Sequence, residues 1–234
     1  MAAGSGSGLA VIVGAGSGLS ASLARSAAAE GMTVVLAARN PEKLAGLAKE
    51  THARTVACDA TKHGEVEALF DVVAEYGAPD LVVFNAGYRT RGPFLELDPV
   101  EVEKTLISSA FGGFLVAQEA AKQMVPQGRG SIFFTGASAS IKGYAQSAPF
   151  AMAKFALRGL AQSLARELQP KGIHVAHFVI DGGIASSRNL SAEEKASDKW
   201  LDPDAIASTY LAVHRQPRSA WSTEVELRPW VENF

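Results

Sequence analysis

Thiol chemistry is almost missing from this chain: among 234 residues there is one cysteine, Cys58. A lone cysteine closes no internal disulfide, which suits a reducing compartment, and a cytoplasmic location is expected. Basic runs are missing too. With 22 Lys and Arg against 24 Asp and Glu, the formal charge is −2, so nothing electrostatic points to nucleic acid or anionic lipid as a partner. A small neutral or weakly charged molecule is the expected ligand. Long hydrophobic runs are also lacking. The opening MAAGSGSG has no basic region, and the apolar run Leu9 to Val13 is shorter than the roughly seven residues a signal core needs. A further uncharged candidate, Thr105 to Gln118, is too short for a bilayer span and contains Ser108 and Ser109. No membrane partner is expected.

What is present is a 47% hydrophobic composition, enough for one sizeable core. Short continuous apolar or β-branched runs occur at 9–13, 32–37, 54–58, 80–85, 131–135 and 174–180. Such runs predict strands buried on both faces of a parallel sheet. Between them, 19–30, 41–50, 64–76, 100–125 and 151–168 carry helical composition and apolar spacing. Without a linker or repeat, the alternation predicts a single doubly wound Rossmann-type domain over 1–234. It is an α/β fold of three layers, with helices on both faces of a parallel sheet.

The most informative local segment is VIVGAGSGLS, 11–20. Its glycines lie after a predicted strand and before a predicted helix, the context in which a glycine pattern reads as a dinucleotide site. Gly14 permits a tight turn, and Gly16 and Gly18 let backbone amides approach a pyrophosphate at the helix's positive end. Gly14, Gly16, Ser17, Gly18 and Leu19 are therefore candidate cofactor contacts. At the end of the second predicted strand the sequence is LAARN. Arg39 stands where a carboxylate would read the ribose of NAD, and with Asn40 it suits a 2′-phosphate. The expected cofactor is NADP(H).

These segments, with CDAT (58–61), NAG (85–87), IDGGIASS (180–187) and WSTEVELRP (221–229), resemble the short-chain dehydrogenase/reductase superfamily over essentially the whole chain. The resemblance implies that Asp59 and Ala60 contact the adenine and that Asn85, Ala86 and Gly87 lie beneath the cofactor. It implies that Ile184 and Ser186 meet the nicotinamide carboxamide and that Gly182 keeps the chain close there, although Asp181 replaces the family's usual proline. It also implies a substrate lid around 187–202 and a homodimer or homotetramer built on the helices around Ala110, Gly112, Gly113, Phe114, Phe155, Leu157 and Leu160.

The departures concern chemistry. Members of this family use a serine, a tyrosine, a lysine four residues after it and an asparagine as a proton relay. Here Lys154 is kept and serves both cofactor and catalysis, but Phe150 stands at the tyrosine position and Ser109 at the asparagine position. In GASAS (136–140) the serine position is Ala137 by usual spacing or Ser138 by a shift of one. A phenylalanine has no proton to give, and a positioned acid contributes about 10²- to 10⁴-fold in rate. Tyr144, and Tyr88 just after NAG, are candidates of one kind to replace it, the plainer role of each being an aromatic wall of the substrate pocket or a subunit contact. The candidate catalytic set is Ser138, Lys154 and Tyr144.

Other constellations point to structure. His174 and His177 have an odd separation on a predicted strand, which sends their rings to opposite faces, and no metal site is expected. Asp202 and Pro203 read as the cap and first turn of a helix over 204–214. Glu193, Glu194 and Asp198 read as a solvated face. Two functions remain open. One is an NADP(H)-dependent oxidoreductase acting on an imine, an activated alkene or a carbonyl through a non-standard proton donor. The other is a catalytically degenerate NADP(H)-binding protein with an interaction or regulatory role.

Overall fold

Seven strands pair in parallel, in the order β3-β2-β1-β4-β5-β6-β9. The computed structural model describes residues 8–185, 190–191, 193–194 and 197–232. The strands are β1 (Leu9–Val13), β2 (Thr33–Ala38), β3 (Arg54–Ala57), β4 (Leu81–Phe84), β5 (Ser131–Thr135), β6 (His174–Ile180) and β9 (Glu224–Leu227). A separate two-stranded ladder joins β7 (Gly183–Ile184) to β8 (Trp200–Leu201). Every residue of β1, β4, β5 and β6 is buried, which is why their sequences run apolar without alternation. The edge strand β9 instead alternates, with Glu224 and Glu226 exposed, and charges of this kind blunt an open edge.

Helices cover both faces. On one, α3 (His63–Ala74), α5 (Gly112–Met124) and α6 (Ala148–Leu168) pack on Val11, Val82, Phe84 and Phe134. On the other, α1 (Leu19–Ala29) and α7 (Pro203–His214) pack on Ile12, Val83, Phe133 and Phe178. The short α2 (Ala45–Thr51) follows a 3₁₀ turn, Pro41–Leu44. Because β2 lies on one side of β1 and β4 on the other, the chain reverses direction between β1 and β4. That reversal leaves a crevice at the carboxyl ends of the strands.

The long helix expected over 100–125 is present and continuous, but not α throughout. It begins as α4 (Pro99–Leu106), with Asp98 accepting from the Val100 amide at 3.0 Å, passes through a π turn (Ile107–Phe111) and resumes as α5. The small residues here allow a very close approach. A Cβ on Gly113 would stand 2.6 Å from Leu157 Cδ1, and one on Gly112 3.0 Å from the Ala60 carbonyl. Gly112, Gly113 and Leu157 therefore belong to the core of one subunit, not to a surface between subunits.

The helix expected from residue 151 begins at Ala148, with Pro149 in its first turn, so Phe150 and Lys154 share one helix. Asp202 caps α7 as expected, its carboxylate accepting from the Asp204 amide at 2.9 Å. His174 and His177 do face opposite ways: His174 stacks on Trp221, while His177 faces Glu224. Among the described residues no helix is long and apolar enough to cross a membrane.

Candidate active site

The turn between β1 and α1 is built by two close approaches. The Gly14 and Ala15 amides both donate to the Ala37 carbonyl, at 3.0 and 2.9 Å. Gly14 has φ +84°, and a Cβ there would lie 2.4 Å from the Ala86 nitrogen, so no other residue fits. Asn85 Nδ2 donates to Ser20 Oγ at 2.7 Å, and Ser20 Oγ donates to the Gly14 carbonyl at 3.2 Å. The Asn85 side chain thus positions the glycine loop. Gly18 caps α1 without a side-chain bond, the first turn carries no acid, and the space over Gly16 is open. An uncapped helix start facing open space suits a pyrophosphate.

A cavity of about 210 Å³ opens beside this loop, walled by Gly14, Ala15, Arg39, Asp59, Ala60, Asn85, Ala86 and Gly87 among others. Seven of the expected cofactor residues, Gly14, Arg39, Asp59, Ala60, Asn85, Ala86 and Gly87, thus meet in one place. Arg39 is exposed at the end of β2 and joins the wall, while Asn40 beside it begins the turn to α2. Asp59 Oδ1 accepts from the Thr61 amide and hydroxyl, at 3.1 and 2.8 Å, which fixes the carboxylate. Ser17 is exposed, whereas the Leu19 side chain is buried in the core, leaving only its backbone at the helix start. Ser186, and with it 187–189 of the expected lid, lies outside the described residues.

A second cavity, of about 250 Å³, is walled by Ser138, Tyr144, Ser147, Phe150, Gly182, Ile184 and Arg89 among others. Lys154 stands between the two. Its Nζ lies 3.9 Å from where a Cβ on Gly87 would be, and 5.8 Å from the Phe150 ring centroid. It donates to the Thr135 carbonyl at 2.8 Å and is 7% exposed. Burial pushes the ammonium down from 10.5 to about 8. His177, behind it on β6, is pushed down to about 4 by burial against the opposing pull of Glu224, so it is neutral at pH 7. Ser109 Oγ is fully buried without a hydrogen-bond partner, 3.4 Å from the same Gly87 position. An orphaned hydroxyl next to a buried ammonium suits a polar ligand.

The hydroxyls at the end of β5 sort themselves by their bonds. Thr135 pairs with Tyr210 at 3.0 Å, and Ser140 accepts from the Ala137 amide at 3.1 Å. Ser138 walls the cavity; its carbonyl accepts from the Ile141 and Lys142 amides, while its hydroxyl makes no hydrogen bond to a described residue. Tyr144 is exposed on the same wall, with Lys142 Nζ 5.7 Å from its ring. Tyr88 drops out as an acid candidate, because its hydroxyl is taken by Glu101 and Lys104 covers its ring at 4.0 Å. Asp181 is buried and ion-paired to Arg228 at 3.1 Å and Lys142 at 3.6 Å, next to Gly182, whose Cβ would stand 2.8 Å from Pro229. Arg89, whose guanidinium lies 4.8 Å over the Phe150 ring, was not marked by any sequence motif.

Residues 8–196 match the family model described as short chain dehydrogenase. The chain belongs to that family. A short-chain dehydrogenase from Rhodopseudomonas palustris is similar in structure, with TM-score 0.83, 38% identity, and coverage of 95% of this chain and 98% of that one. A metagenomic short-chain oxidoreductase in complex with NADP has TM-score 0.83 and 27% identity, covering 96% and 98% of the two chains. An uncharacterized oxidoreductase of Staphylococcus aureus is 28% identical over 225 residues, covering 94% of this chain and 96% of its own.

Lys154 makes a pH prediction. Its folded pKa lies below its unfolded value, so the unfolded chain binds more protons between about 8 and 10.5. Stability must therefore rise with pH across that window, by up to about 3 kcal/mol for this group. Comparing wild type with Lys154→Met by urea denaturation, wild type should gain on the variant from pH 8 to 10.5. A constant difference would contradict it.

Proposed function

We propose that this short-chain dehydrogenase is an NADP(H)-dependent oxidoreductase acting on a small imine, activated alkene or polarised carbonyl compound in the Phe150 cavity. One observation carries the reading. A buried ammonium of lowered pKa, Lys154, lies between a groove suited to a dinucleotide and a cavity suited to a small molecule. The residues fit the cofactor: the α1 start receives the pyrophosphate, Arg39 the 2′-phosphate, Asp59 and Ala60 the adenine, and Lys154 the ribose. Gly182 and Ile184 border the nicotinamide end, with Ser186 assigned there by family resemblance. When bound, NADPH supplies a hydride.

The protein's own groups do the rest. Ser138 offers a hydroxyl to the substrate heteroatom. Lys154 favours negative charge developing beside it, a field that a dry site strengthens. Phe150 gives no proton, so the donor is Tyr144, beside the Lys142 cation, or water. Substrates that are already polarised or protonated need that donor least. Phe150 also favours a second reading, a cofactor-binding protein that no longer reduces anything, and the tests below separate the two. The protein is further proposed to be one domain over 1–234 and a homo-oligomer. Phe111, Phe114, Met152 and Phe155 leave large apolar area exposed on the π turn, α5 and α6, as a subunit contact would require.

Three outcomes are expected. Light scattering at micromolar concentration should give a dimer or tetramer, and a monomer would count against the subunit contact. NADPH should bind about tenfold or more tightly than NADH, as one charge-assisted contact implies, and Arg39→Asp should remove that preference. Equal dissociation constants in the wild type would sink the assignment of Arg39. Phe150→Tyr adds a hydroxyl to a ring whose centroid is 5.8 Å from Lys154 Nζ. Reduction of small ketones and aldehydes should rise by roughly tenfold or more, short of the about 10²- to 10⁴-fold of a full acid because Ser109 replaces the asparagine. No hydride transfer by either protein to carbonyls, imines or alkenes, despite tight NADPH binding, would favour the second reading.

A further inference from the structure

Among the described residues, the Phe150 cavity carries a single charged side chain on its wall, and it is a cation. Arg89 lies at its rim with the guanidinium carbon 4.8 Å over the Phe150 ring, a cation–π contact that leaves its donors for other partners. No carboxylate pairs with it among the described residues. Glu101, which bonds the adjacent Tyr88, is also engaged with Lys104, and Asp181, next to Gly182 of the cavity wall, is paired to Arg228 and Lys142. Arg91 repels Arg89, and burial together with that repulsion lowers its pKa.

The loop that carries Arg89 is pinned on both sides. Tyr88 is bonded to Glu101, and the Gly92 amide donates to the Gln146 carbonyl at 3.1 Å, which ties the loop to the turn beside Tyr144 and Ser147. A guanidinium held on a ring, on an anchored loop and without a counter-ion among the described residues is preorganised for an oxyanion. A neutral ligand closing over it would desolvate the charge without compensation, whereas an anion would pair with it.

We propose that Arg89 is the recognition residue for an oxyanion group, carboxylate or phosphate, on the substrate, with the Phe150 ring as the plate that holds the guanidinium. This rests on the oxidoreductase reading for the word substrate. It gives Phe150 a task that a smaller residue would not perform. It also narrows the substrate class to small acids whose reducible bond lies beside Ser138 and Lys154 while the acid group reaches the Arg89 rim.

The test uses three probes of one shape: benzoate, phenyl phosphate and benzamide. Each is titrated calorimetrically into the protein with and without saturating NADPH. Benzoate or phenyl phosphate should bind at least about tenfold more tightly than benzamide, as a charge-assisted pair implies. The better of the two anions identifies the group. Arg89→Gln should erase the preference, Arg89→Lys should keep part of it because a point charge remains, and neither should change NADPH affinity. Equal binding of all three probes by the wild type would overturn the proposal, as would a preference that survives in Arg89→Gln. Failure to bind NADPH would instead defeat the oxidoreductase reading, while the cofactor-free titrations still decide on Arg89.

Discussion

The structure around the crevice depends on one buried charge. Lys154 reaches inward from α6 to the Thr135 carbonyl at the end of β5, and this bond ties the helix to the sheet where the glycine loop, the NAG segment and the second cavity converge. Burying an ammonium with one backbone acceptor is expensive, and an apolar side chain of similar volume would serve the fold as well or better. The cost of this charge to the fold is what its proposed role toward cofactor and substrate would explain. Its surroundings support that view: Gly87 leaves room beside Nζ, and the π turn brings Ser109 to the same spot with its hydroxyl unpaired. π turns gather at functional sites because they re-aim a side chain without ending the helix.

Much of this was legible in the sequence, for physical reasons that differ by element. Strands buried on both faces leave continuous apolar runs, so β1, β4, β5 and β6 could be placed to within a residue or two. The glycine loop was readable because Gly14 meets the Ala86 backbone at a distance only glycine tolerates. The π turn in the long helix was not readable, since Ser108, Ser109, Gly112 and Gly113 suit a helix of small residues as well as a π turn. Nor could spacing separate Ala137 from Ser138. That choice depends on which hydroxyls are already engaged, and the bonds of Thr135 to Tyr210 and of Ser140 to Ala137 are contacts that spacing alone does not encode.

Phe150 shows how differently a residue reads in one dimension and in three. Along the chain it is a missing hydroxyl four residues before a lysine. In space its ring lies between two cations, Arg89 at 4.8 Å and Lys154 at 5.8 Å. An aromatic face attracts both, so the ring moderates a repulsion that an aliphatic side chain would leave in full. The substitution is then compatible with a rebuilt site as well as with a lost one, and the difference lies in whether the cations face a ligand.

Net charge is a poor guide to that ligand. The chain as a whole is slightly acidic, at −2, which by itself suggests a neutral or weakly charged partner. The carboxyl ends of the strands bring cations together locally: Arg39, with Asp59, walls the first cavity, Arg89 walls the second, and Lys154 is near Gly87 of the one and Phe150 of the other. Within a Debye length of roughly 8 to 10 Å, local charges dominate the potential a small molecule feels, and concave low-dielectric walls focus it further. Two anionic ligands can therefore occupy this crevice on a protein whose overall charge would repel them weakly. Under the reading proposed above, the dinucleotide would lie along the glycine loop, and a small acid would sit beside Arg89, enclosed between that side chain and the cofactor.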